Sequence, residues 1–175
     1  MAIRTVRFIT LLFTALVMGT TLCHTMELPA KMLYSAELWA TVNKSLYWVF
    51  AFPVGAIIEM GAILSSILLS FLVRKNRPAF RLTLLATVCL VVAFFGVWIG
   101  FIAPMNAQVE QWRIEDLPAN WMQVRNQWEY AHATRFVLHL IGFSALLFSV
   151  LRETPTSHFR NHLASERGHN QSLIR

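Results

Sequence analysis

Between positions 121 and 139, Trp121, Arg125, Trp128, His132, Arg135 and His139 follow one another at steps of four, three, four, three and four. On an α-helix that spacing sets all six on one stripe. Glu129 lies beside the stripe, three residues before His132. The stripe runs without a break into residues 141–151, which are almost wholly apolar. A helix in water would turn such a stripe to solvent. A helix entering a bilayer turns it toward the interior of a bundle, where ionisable groups carry function. The stripe therefore demands partner helices.

Composition supplies them. Of 175 residues, 56% are hydrophobic and 14% charged, the balance of a membrane protein rather than a soluble domain. The formal charge of +6 would fit nucleic-acid binding, but the cations sit in short clusters beside apolar runs, as topology signals do. No nucleic-acid partner is expected. Cys23 and Cys89 fall inside apolar runs at different depths and read as two buried, unpaired thiols.

The fold class expected is all-α, a bundle of four transmembrane helices with an interfacial helix after the first span and an extended fourth helix. The membrane domain is 1–151, with spans at about 8–28, 46–73, 82–103 and 130–151. Residues 152–175 form a basic, polar tail whose His158, His162 and His169 read as solvated. The first span follows Arg4 and Arg7 and lacks a convincing cleavage site, so it reads as an uncleaved span. Residues 29–45 mix charged and apolar positions; Tyr34, Trp39, Tyr47 and Trp48 are expected to form an interfacial aromatic belt. In the second span Gly55, Ala62 and Ser66 make a small-residue face that also carries Glu59. Pro78 marks a break in the basic hinge after that span, and Pro104 ends the third. Asn120 is placed to cap the fourth helix, which is expected to run over 121–151.

Ten of the fifteen cations fall on one side of this layout, and seven of the nine acids fall on the other side or in the outer half of the spans. The positive-inside rule then puts both termini in the cytoplasm of a multi-pass cell (inner) membrane protein. A rise of about 1.5 Å per residue puts His139 about 18 Å above the cytoplasmic end, and Glu59 about 21 Å. His24 and Arg135 come to about 24 Å, and Glu27 and His132 to about 28 Å, in a core about 30 Å thick. These groups share the outer half of the bundle. Trp121, Arg125 and Trp128 are expected to form a lip over them.

Several chemistries fit that cluster. His24-x-x-Glu27 and Glu129-x-x-His132 each put an imidazole and a carboxylate on one face. With Glu59 they resemble the donors with which helix bundles hold iron, manganese or zinc. A haem on His24, His132 or His139 is a second alternative. A third uses no cofactor: a histidine serves as base while Arg135 and Asn106 stabilise an oxyanion, with Glu129 fixing the tautomer of His132. The simplest alternative is structural, with Glu59 neutralising Arg135 and Glu27 pairing with His132.

The segments 24–34 (His-Thr-Met-Glu-Leu-Pro-Ala-Lys-Met-Leu-Tyr), Pro104-Met-Asn106 and Trp121…Arg125…Trp128-Glu129…His132…Arg135 resemble the anthrone-oxygenase-like family of small four-span membrane proteins. The resemblance covers roughly 8–151. It implies oxidation of an activated aromatic carbon by dioxygen, with no added cofactor, and it carries site roles to Asn106, Trp128, His132 and Arg135. Two function classes follow. One is an oxygenase or other redox enzyme acting on a lipophilic small molecule. The other is a non-enzymatic transport or membrane-assembly protein. A carrier would favour internal repeats with broken helices, and the chain has no repeat. The bilayer is the expected partner; a homo-oligomer is left open.

Overall fold

The computed structural model describes residues 2–47 and 51–153. The tail histidines and Trp48 lie outside the described residues. The elements are α1 (Ala2–Lys31), α2 (Ala36–Val42), α3 (Ala56–Val73), α4 (Arg77–Val91), α5 (Ala103–Gln111) and α6 (Trp121–Glu153). Between them, Asn43–Tyr47 and Val92–Ile102 are π-helical, and Ala51–Gly55 is kinked at Phe52, whose backbone is extended. Four helical stretches are long and apolar enough to cross a membrane: Ala2–Lys31, Ala51–Val73, Arg77–Gln111 and Trp121–Arg152. The protein is an all-α, four-helix membrane bundle.

The spans pack as a ring. α1 lies against α3 and α6, and α4 lies against α3 and α6, so the first and last spans are neighbours. Leu12, Leu16, Leu64, Phe71, Leu85, Phe95 and Phe148 point outward and are exposed, as lipid-facing side chains are. Inside, small and hydroxyl side chains let the backbones approach. Ala62 and Ser66 are fully buried, while Gly55 is only half-buried. A methyl on Gly61 would stand 2.7 Å from the Phe13 ring, so the α1–α3 contact is closer than that small face implied. Ser70 and Thr87 meet at 3.1 Å across α3 and α4. Thr10, Thr14, Thr83 and Thr87 bond back to carbonyls one turn earlier, which satisfies hydroxyls in an apolar interior.

Proline marks the ends of the helices at three places. α1 runs through Pro29 to Lys31. The ring removes one N–H near the helix end, and the helix still completes its last turn. The expected break after the second span falls at residues 74–76, and Pro78 lies in the first turn of α4 that follows, with the Asn76 side chain accepting from Ala79 N–H at 3.5 Å. Pro104 opens α5 after the π-helical stretch, so the third span continues to Gln111. Asn120 receives the Gln123 and Val124 N–H groups on its backbone carbonyl.

Candidate active site

The stripe on α6 faces inward along its whole length. Arg125, Trp128, Glu129, His132, Arg135 and His139 are all buried, and Trp121 is half-buried. They form three layers.

The deepest layer joins α1, α3 and α6. Arg135 Nη2 donates to Glu59 Oε2 in a buried ion pair. His139 Nε2 lies 3.5 Å from Glu59 Oε1, and its Nδ1 lies 3.1 Å from the Thr21 hydroxyl. Glu59 thus neutralises Arg135, as the structural alternative had it. Each of its oxygens faces one cationic or imidazole partner.

The middle layer is a box of rings. The His24 and His132 ring centroids are 4.2 Å apart, and Trp128 is 4.2 Å from His132. Tyr47 closes the box at 4.6 Å from His24 and 5.3 Å from Trp128. Trp128 donates its indole N–H to Asn106 Oδ1 at 2.8 Å. Neither ring nitrogen of the buried His132 has a hydrogen-bond partner among the described residues, and His24 Nδ1 has none. Buried polar atoms are ordinarily satisfied, so these nitrogens stand out from the rest of the layer.

The upper layer is built on Lys31, whose side chain is only 2% exposed. Its ammonium sits 2.8 Å from Glu129 Oε2 and 3.5 Å from Glu27 Oε2, and over the Tyr47 and Trp128 rings. Trp39 donates its indole N–H to Glu129 Oε1 at 3.0 Å, and the Tyr47 hydroxyl donates to Glu27 Oε2 at 2.6 Å. Tyr47 lies in the connection between the first two spans. Burial first, and then that hydrogen bond, push its phenol above the ordinary value. Above this layer Arg125 donates to the Met32 carbonyl at 3.1 Å and lies over the Trp121 ring.

Several expectations are corrected. Glu129 does not orient His132; it is occupied by Lys31 and Trp39. Glu27 does not pair with His132 either, because Lys31 and Tyr47 hold it. Trp128 is a buried wall beside His132 rather than a lip over it. Trp39 is 1% exposed and belongs to no interfacial belt. Cys23 is exposed, and only Cys89 is buried. Among the described residues, no three His, Cys, Asp or Glu side chains are grouped to hold a metal ion. Glu27 and Glu129 share the Lys31 ammonium, and Glu59 faces Arg135 in the layer below, so the three carboxylates do not converge on one point. The His24 and His132 rings, 4.2 Å apart, leave no room for a haem iron between the two of them, and His139 lies between Thr21 and Glu59.

A family model described as anthrone oxygenase matches residues 48–145, more than half of the chain. The chain belongs to the anthrone oxygenase family. No curated protein and no solved structure matches it. The matched segment of this anthrone oxygenase family member contains Glu59, Asn106, Trp128, Glu129, His132, Arg135 and His139. The other half of the layered site, His24, Glu27, Lys31, Trp39 and Tyr47, precedes it. Lys31, Trp39, Tyr47 and Thr21 are the site residues that sequence reasoning missed. For Lys31 the available signal was its position four after Glu27, once α1 is carried past Pro29.

Proposed function

We propose that this protein is a membrane oxygenase that oxidises an activated carbon of a lipophilic aromatic substrate with dioxygen. The observation that carries the reading is His132: a buried imidazole between His24 and Trp128 with neither nitrogen hydrogen-bonded among the described residues. Such a ring has both nitrogens open to a proton of a bound substrate. The surrounding rings offer flat faces for an aromatic ligand.

The reaction balances without any other co-substrate. His132 takes a proton from a methylene flanked by aromatic rings, as at the reactive carbon of an anthrone. The electron pair left behind delocalises onto the conjugated carbonyl oxygen. Arg135 Nε, a buried donor with no hydrogen-bond partner among the described residues, supports that charge. Dioxygen adds at the carbon and the hydroperoxide is protonated. Loss of the second proton, with His24 as the nearest additional base, expels water. The CH2 group becomes C=O; four electrons pass to O2, one oxygen atom stays on carbon and the other leaves in water. Asn106 acts by holding Trp128.

Purified protein in lipid nanodiscs should convert anthrone to anthraquinone with one O2 consumed per product. His132→Ala should abolish this while circular dichroism and thermal unfolding stay close to wild type. Full turnover by His132→Ala, or no oxidation by wild type, overturns the reading. The same proposal sets both termini in the cytoplasm of a cell (inner) membrane and the ring box in its outer half.

A further inference from the structure

The rings around the site differ in one respect that matters for oxidation: where their protons can go. Trp128, which touches His132, donates its N–H to the neutral amide oxygen of Asn106. Trp39, one ring further out at 6.0 Å from Trp128, donates its N–H to the Glu129 carboxylate. Tyr47, 5.3 Å from Trp128 on another side, donates its O–H to the Glu27 carboxylate. Beyond Trp39, Trp112 follows at 6.1 Å and is half-buried. Electron loss makes an indole N–H or a phenol O–H strongly acidic. A ring bonded to a carboxylate can shed that proton and keep a neutral radical. A ring bonded to an amide cannot.

We infer that Trp128 relays one-electron oxidation out of the histidine box, and that Trp39 and Tyr47 store it as neutral radicals by passing their protons to Glu129 and Glu27. The inference rests on the oxygenase reading for its natural oxidant: the substrate carbanion passes one electron to a first dioxygen, which leaves as superoxide, and a second dioxygen adds to the resulting substrate radical to give a peroxyl radical. That radical takes one electron from Trp128 and becomes the peroxy anion. Its proton comes from the protonated His132, which gives the hydroperoxide. The hole on Trp128 moves to Trp39, whose Nε1 proton passes to Glu129 Oε1. Charge is conserved: one imidazolium and one carboxylate become one imidazole and one carboxylic acid. The relay quenches a radical that would otherwise attack the site.

The test needs neither substrate nor turnover. The full chain in nanodiscs is oxidised by a photogenerated ruthenium(III) polypyridyl complex and frozen for electron paramagnetic resonance, with ring-deuterated tryptophan to assign the signal. Wild type should give a neutral tryptophan radical together with a tyrosyl radical. Trp39→Phe should lose the tryptophan signal, and Tyr47→Phe the tyrosyl signal. Asn106→Asp, which gives Trp128 a carboxylate, should bring a tryptophan radical back in the Trp39→Phe background. If Trp39→Phe and wild type give the same tryptophan radical, the relay is overturned. A Trp39→Phe chain carrying Asn106→Asp that stays silent overturns it equally. Failure here leaves anthrone oxidation by wild type as a separate measurement, so the two readings fall independently.

Discussion

Arg135 and Glu59 illustrate what a single side chain costs in this interior. Both are at most 7% exposed, and they meet across α6 and α3. Two charges taken out of water hold each other only while both remain, so removing one strands the other. Glu59→Gln and Arg135→Gln should each destabilise the bundle by about 3–5 kcal/mol. The double substitution should cost clearly less than the sum, since the partners share one environment. Unfolding in mixed detergent micelles measures all three chains. Strict additivity would mean the two side chains do not depend on each other. The same residue-scale reasoning makes His132 informative: among the described residues its nitrogens have no hydrogen bond to lose, so its replacement should cost chemistry far more than stability.

At the scale of elements, the α1–α3 contact is set by Gly61 against Phe13. A methyl there would sit 2.7 Å from the ring, so α1 must move or the ring must turn. Gly61→Ala should therefore destabilise by about 1–3 kcal/mol, the usual cost of overpacking. Gly19 has nothing within 4 Å of the corresponding position, so Gly19→Ala should be neutral or stabilise by up to about 1 kcal/mol through helix propensity. Phe13→Leu should restore part of the loss in the Gly61→Ala chain. Equal effects at the two glycines would show that α1 and α3 do not pack this closely. The contact matters for the site because α1 carries His24, Lys31 and Thr21 to the stripe on α6.

For the whole molecule, the ring order α1–α3–α4–α6 makes an up-and-down bundle whose connections alternate between two faces. Asn76 lies in the turn between α3 and α4, and Glu115 in the connection between α5 and α6. Exposed Cys23 is first replaced by serine, since Cys89 is buried. A cysteine at Glu115 should then react with an impermeant thiol reagent added to intact cells, and one at Asn76 should react only after the cells are opened. Labelling of Asn76 from outside would reverse the orientation.

The number of spans, the inward turn of the α6 stripe and the Glu59–Arg135 partnership were legible in the sequence. They follow from local rules: long apolar runs must be helical in lipid, periodicity sets one face, and an intramembrane charge seeks its opposite. The resemblance in the motifs also pointed to the family. Which carboxylate would meet which partner was not legible, because that depends on distances between helices and not along them. Glu129 sits three residues from His132 and bonds instead to Lys31 and Trp39, which arrive from α1 and α2. Lys31 reaches the interior only because α1 passes through Pro29, and Trp39 only because α2 folds back onto α6. Local spacing therefore determined the elements and the face each presents. The tertiary structure alone decided that the carboxylates hold cations and ring N–H and O–H groups, while the imidazole of His132 has no hydrogen-bond partner among the described residues.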